Sequence, residues 1–426
     1  MSIIGILMGK NLLKKRERCI LVPIETGFGN APDLMKRGIV ADIGAVAEAL
    51  IYYDTVIINV AHSEHFHELF EWFKISDSPQ SLLNMMKSGE VFFHHYNFSV
   101  NPIYIPQEGR YLFYNVDEPK GDRLQLFRHR VVKSISRYFN TYRKRKAFFD
   151  SLDDSVITVE ADTFGSAVKD SHKYIADEGN FIFLLRCIFN SLKNAKFIEN
   201  IPDIHLVSKS VSNGRIKMEV SIDLRQYSKI IGKEFNFGEH TPFAMVTSTN
   251  RLIWSAAMQH SDLYLNNPTF EFLYERMHSA VKHFGDTKLS LRKLNMEVDF
   301  PDIRGEVNRG IITAKDVLKI REKSQEFREW LHKQTELDRD LLSSYHNTIL
   351  EKSGLSGSMK KILKCALFVV INAAGVAVGD TIGGAKGTAY GIGISAMSPF
   401  LNEIYNHLLK GWSPKIFTAD MKRIIQ

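Results

Sequence analysis

Two runs near the N-terminus, CILVPI (19–24) and IGAVAEALIYYDTVIINV (43–60), decide how the chain begins to fold. The first is a short apolar run cut by Pro23 and followed by Gly27, and it reads as a buried strand. In the second, 43–53 reads as a helix and the β-branched run 55–60 as a strand. Strand, helix, strand in that order predicts a parallel α/β unit. The intervening GFGNAPD (27–33) has Gly27 and Gly29, but Pro32 stands where a dinucleotide fingerprint requires its third glycine. It reads as a plain loop.

Working outward, helices are expected at 64–73 and 81–87, and strands at 90–100 and 111–116 around a proline-containing connection. Segment 124–149 is amphipathic, with Leu124, Phe127, Val131, Ile135, Tyr138 and Tyr142 recurring at helical steps. SLDDS (151–155) reverses the charge and reads as a domain edge. A helical region follows at 164–193, whose apolar run 181–189 contains Arg186 and is too short to span a bilayer. Two strand-like runs flank Ser212-Asn213-Gly214 within 204–222, and Asn-Gly is a favoured hairpin turn. Helices are expected again at 224–235, 243–260 and 270–283, then from Thr313 with Asp316 to about 332, and at 337–352. SGLSGS (353–358) has linker composition. The expected fold is α+β: an N-terminal α/β unit, a mixed middle with a β-hairpin, and a mostly helical C-terminal half ending in a glycine-rich helical hairpin. The expected divisions are 1–150, 151–300, 301–353 and 354–426.

The chain has 426 residues, a net charge of +7 and three widely spaced cysteines, Cys19, Cys187 and Cys365. Sparse, odd cysteine usage fits a reducing, cytoplasmic compartment. Nine Lys and Arg, and no acid, fall between Arg123 and Lys146. Arg128, Arg130, Lys133, Arg137 and the run Arg143, Lys144, Arg145, Lys146 form a basic face that predicts an anionic partner. Anionic lipid is favoured over nucleic acid, because the interleaved aromatic residues sit at core spacing. A solvated surface is the bland alternative. The first 18 residues place apolar groups before basic ones, the reverse of a secretory signal, and read as an ordinary first element.

No nucleophile elbow, phosphate loop or Cys-x-x-Cys is present, and no cofactor is implied. The one metal-like constellation is His62, His65, His67 and Glu71, where His67 and Glu71 have i, i+4 spacing. It lacks the His-Glu-x-x-His order, and a solvated, locally paired helix surface is the preferred reading. His94 and His95 would point to opposite faces of a strand. A metal-dependent hydrolase or nuclease is therefore the third functional reading, and the chain leans away from an enzyme.

Segment 365–398 places Gly375, Gly379, Gly383, Gly387 and Gly391 at a spacing of four, with only Asp380 and Lys386 charged. On a helix this makes a groove suited to close backbone packing. Arms of about 14–15 residues span roughly 21–23 Å at 1.5 Å per residue, short of the hydrocarbon core. A hairpin turning at 380–386 puts both charges at its tip. Lysines flank both ends, and Trp412 suits an interface. This architecture resembles glycine-zipper, membrane-acting effectors of bacterial immune systems, over residues 354–426 only. The resemblance implies a pore-forming or membrane-disrupting effector, with an anti-phage role, that is cytoplasmic and peripheral or conditionally inserted in the inner membrane. It also implies a sensor or activator protein as partner and a homo-oligomer when active. The alternative is a soluble sensor or interaction module whose hairpin is buried in the core or in an oligomer seam.

Overall fold

A computed structural model describes residues 19–26, 31–60, 62–76, 80–96, 99–105, 110–117, 123–159, 171, 173–212, 215–231, 240–265, 272, 292–300, 303–325, 328, 366–372 and 416–418. From the N-terminus, β1 (Cys19–Pro23) leads through α1 (Pro32–Lys36) and α2 (Ile43–Tyr52) to β2 (Thr55–Asn59). Helices α3 (Ser63–Ser76) and α4 (Gln80–Ser88) connect to β3 (Val91–Tyr96), and β4 (Ser99–Ile105) pairs with β5 (Arg110–Asp117) as a separate hairpin. Next come α5 (Arg123–Ile135), α6 (Tyr142–Ser155) and β6 (Val156–Val159). They are followed by α7 (Glu178–Asn194), the hairpin β7 (Leu206–Ser212) and β8 (Arg215–Val220), α8 (Leu224–Ile231), α9 (His240–Met258) and β9 (Asp262–Tyr264). The last described elements are β10 (Arg292–Phe300), α10 (Ile303–Asn308), α11 (Ala314–Lys323), β11 (Ala366–Asn372) and β12 (Ile416–Thr418).

The fold is α+β. Its centre is five parallel strands in the order β9-β1-β2-β3-β6, extended beyond β9 by β12, β11 and β10. Alternation along each strand divides the core into two layers. Ile20, Val22, Val56, Ile58, Val91 and Phe93 face α2 to α6, whereas Leu21, Ile57 and Leu263 face α7 and α9. Burial on both faces is why CILVP and TVIIN read as nearly continuous apolar runs.

All ten residues of α2 are buried, so water cannot satisfy its end groups. At its N-terminus, Asp42 accepts from Ala45 N at 3.1 Å, from Arg304 Nε at 2.7 Å and from Asn308 Nδ2 at 2.8 Å. Gly44 N donates to Asn308 Oδ1 at 3.0 Å. A Cβ at Gly44 would fall inside the Arg304 carbonyl, so glycine is what lets α10 cross this closely. At the other end Arg321 donates to the carbonyls of Leu50, Tyr53 and Asp54 and pairs with Glu90 at 2.8 Å. Ser324 donates to Ile51 O at 3.1 Å, and Arg328 pairs with Asp54 at 2.9 Å. Ile303, Val307, Ile312, Ala314, Val317 and Ile320 thereby share a core with residues of α2 to α6, across the expected division at 300.

Several expectations change in the structure. Segment 124–149 is two helices joined by a 3-10 turn at Ser136–Tyr138, because Thr141 caps α6 by accepting from Lys144 N at 3.3 Å. SLDDS is the last turn of α6 and runs directly into β6 of the same sheet. Segment 90–100 divides between β3 and β4. Residues 366–372, expected to begin a helical arm, form β11, in keeping with the β-branched run Val369, Val370, Ile371. The five patterned glycines, Trp412, the linker and the helices expected at 270–283 and 337–352 lie outside the described residues. Among the described residues no helix is long and apolar enough to cross a membrane. Breaking the clamp on α2 has a predictable cost: Arg321→Met should lower the unfolding free energy by about 3 kcal/mol, read from urea denaturation.

Candidate functional site

The basic stretch folds as it does because its apolar residues are captured from below. Phe127, Val131 and Ile135 of α5 and Phe148, Phe149 and Leu152 of α6 are buried in the layer over α3. Phe148 meets Phe70 edge-on at 5.6 Å, and Phe66 meets Phe127 at 6.5 Å. With that side anchored, the cations face outward. Arg130, Lys133, Arg137, Arg143, Lys144 and Lys146 are exposed, and Arg128 and Arg145 are half-buried.

Their pairing is uneven. Arg128 bonds Asp153 at 2.5 Å and Lys146 bonds Asp150 at 2.6 Å. Burial raises the Asp153 carboxyl above its usual range, against the opposing pull of Arg128. The hydrogen bond that Lys146 donates to Asp150 raises the pKa of its ammonium. Arg137 donates to Tyr138 Oη at 2.7 Å, and Arg145 lies 5.4 Å over the Tyr142 ring. Arg130, Lys133, Arg143 and Lys144 make no ion pair among the described residues. Arg143 and Lys144 also occupy the first turn of α6, where the helix dipole is already positive. Cations there oppose helix stability and add to the outward positive field. Between α5 and α6 lies an open cleft of about 530 Å³, whose lining includes Arg128, His129, Arg145, Lys146 and Asp150. This face can bind acidic groups presented on a surface.

The histidine constellation is not assembled. His62 and His65 stand together, their rings 5.4 Å apart, and burial lowers the His65 pKa, with Glu25 opposing and His62 adding to the effect. His67, two residues further on, lies on the other side of α3 against Tyr138 at 6.3 Å, and Glu71 pairs with Lys74 at 3.6 Å. Among the described residues, no group of three or more His, Cys, Asp or Glu side chains could hold a metal ion.

Pleating sends His94 and His95 to opposite faces. His95 stacks on Phe127 at 4.6 Å, and His94 packs edge-on against Tyr96 at 4.7 Å on the α9 side. The sequence signal for the second environment was faint: Asn59 ends an apolar strand, and Arg251 is the one Lys, Arg, Asp or Glu in 240–258. No family model matches the chain, and neither a curated protein nor a solved structure is similar to it.

His94 gives a pH signature. Burial, then Arg251 and His95, push it down to about 3, from 6.5 in an unfolded chain. Between those values the unfolded chain holds the additional proton, so the contribution is complete above pH 6.5 and declines as pH falls toward 3. Urea titrations from about pH 6.5 to 5 should show the parent losing about 1–2 kcal/mol more than His94→Gln.

Proposed function

We propose that the protein is a membrane-binding effector that docks on anionic lipid through the outer face of α5 and α6. Its glycine-patterned segment 365–398 then oligomerises to breach the bilayer once a partner protein triggers it. The observation carrying this reading is the one-sided arrangement of the basic stretch. Its apolar residues are in the core, and four of its cations, Arg130, Lys133, Arg143 and Lys144, project without acidic partners among the described residues. Such a face costs stability through self-repulsion, so it is retained for a ligand rather than for the fold. Close packing of several copies through Gly375, Gly379, Gly383, Gly387 and Gly391 is the step by which the docked protein would perforate the membrane.

A second reading, a soluble sensor or interaction module, is favoured by a specific observation. Ala366–Asn372, at the start of the glycine-patterned stretch, pairs within the sheet as β11 between β10 and β12. On that reading the segment belongs to the folded body and the basic face recruits an acidic protein.

Vesicle binding separates the two. The parent should co-sediment with phosphatidylserine-containing vesicles and not with neutral ones, with binding that weakens as salt is raised. At about 1 kcal/mol per basic residue near such a surface, replacing Arg130, Lys133, Arg143 and Lys144 by serine should weaken binding by up to about 10³-fold. Dye release should require the glycine segment and be lost in Gly379→Leu and Gly383→Leu. Equal binding to neutral and anionic vesicles, or none to either, contradicts the docking step.

A further inference from the structure

The second face of the sheet carries a polar cluster that neither the basic surface nor the core explains. In an open parallel sheet the carboxyl ends of the strands are where ligands are bound. Here β2 ends with Asn59, and its register partner on β3 is His94, so the two lie side by side on the α9 face. Tyr96 follows two residues on, and its Oη bonds Ser255 Oγ of α9 at 2.9 Å. One turn earlier, Arg251 holds its guanidinium 4.4 Å from the centre of the Tyr96 ring. Thr247, Arg251 and Trp254 fall at helical steps of four and three, which puts them on the same stripe of α9.

Asn59, His94, Thr247 and Trp254 are all more than nine-tenths buried, and His94 is fully so. Asn59 Oδ1, both His94 ring nitrogens, Thr247 Oγ1, Arg251 Nε and Trp254 Nε1 are buried and accept or donate no hydrogen bond among the described residues. Leaving one such group unsatisfied costs about 1–3 kcal/mol, so several in one place indicate that something else completes them. Arg251 is half-buried, giving the cluster a member that faces solvent.

The chemistry of the donors selects the ligand. Arg251 Nε and Trp254 Nε1 only donate, and the Thr247 hydroxyl and one nitrogen of neutral His94 can donate as well. Arg251 has no carboxylate partner among the described residues, and its positive charge beside His94 disfavours a metal cation. We infer that the carboxyl edge of the sheet, on its α9 face, binds the oxyanion group, phosphate or carboxylate, of a small molecule. Arg251 and Trp254 donate to it, joined by the Thr247 hydroxyl and one ring N–H of His94, while Asn59 Oδ1, an acceptor, meets a donor elsewhere on the same molecule. This site is separated from the α5–α6 surface by the sheet and stands independently of the membrane reading.

Isothermal titration calorimetry on the full chain tests it, with inorganic phosphate and acetate as separate probes. The background carries Arg130→Ser, Lys133→Ser, Arg143→Ser and Lys144→Ser, which removes the unpaired cations of the outer basic face. One of the two probes should saturate a single site per chain, and which one does so distinguishes a phosphate ester from a carboxylate ligand. Arg251→Gln should weaken binding at least about ten-fold, as loss of a charge-assisted contact does. Trp254→Phe and Thr247→Val should also weaken it while leaving the urea midpoint equal to or above that of the background protein. Such near-isosteric changes remove unsatisfied polar atoms from the interior. Failure of both probes to saturate, or unchanged affinity in both Arg251→Gln and Trp254→Phe, overturns the inference.

Discussion

A helix buried on every side must have its end groups answered by protein, and α2 is that helix. Its N-terminal amides and C-terminal carbonyls are met by Asp42, Asn308, Arg321, Ser324 and Arg328, and Arg304 fixes the capping carboxylate. Three of these groups are guanidiniums, whose planar forks can serve several acceptors at once. Tyr264 Oη and Arg304 N also bond Glu48 in the middle of the helix, at 2.9 Å and 3.2 Å, so the one buried acid of α2 is satisfied as well. Apart from Asp42, the partners come from more than 200 residues further along the chain. Local contacts alone cannot complete this core.

The sheet built over that clamp keeps two chemistries apart. On one side, α3 to α6 form an aromatic layer whose inner surface holds Phe66, Phe70, Phe127 and Phe148 and whose outer surface is cationic. On the other side, α9 sets a polar stripe against the ends of β2 and β3. Alternation of side chains along β3 performs the separation residue by residue, with His95 stacked in the aromatic layer and His94 across the sheet from it. A cationic surface and a buried polar cluster thus coexist without sharing a residue.

Much of the first half was legible, because its signals are local. The β-branched runs of β1 and β2, the helical pattern of α2 and the Thr313–Asp316 capping box each specify their own element, and the capping box forms as read. The hairpin around Asn213-Gly214 is likewise present on both sides of its turn. What was hidden depends on partners distant in sequence. The short strands β6 and β9 carry too few residues for a period, and β9 becomes a strand only by pairing with β1. The basic run looked like one helix because periodicity passes unbroken through Ile135 to Tyr142, whereas Thr141 captures Lys144 N and starts a new one. Nothing in the sequence near Arg321 and Arg328 reveals that the carbonyls they serve belong to α2 and the residues just after it. Arg328, within EFREWLH (326–332), serves this clamp.

Hydrogen exchange followed by mass spectrometry measures the clamp most directly. If α2 and residues 303–325 stand or fall together, their amides should exchange with the same free energy, equal to that of global unfolding, and should shift together when Arg321 is replaced. Exchange of 303–325 at a much lower free energy, with α2 still fully protected, would show that α2 holds without its distant partners and would contradict this account.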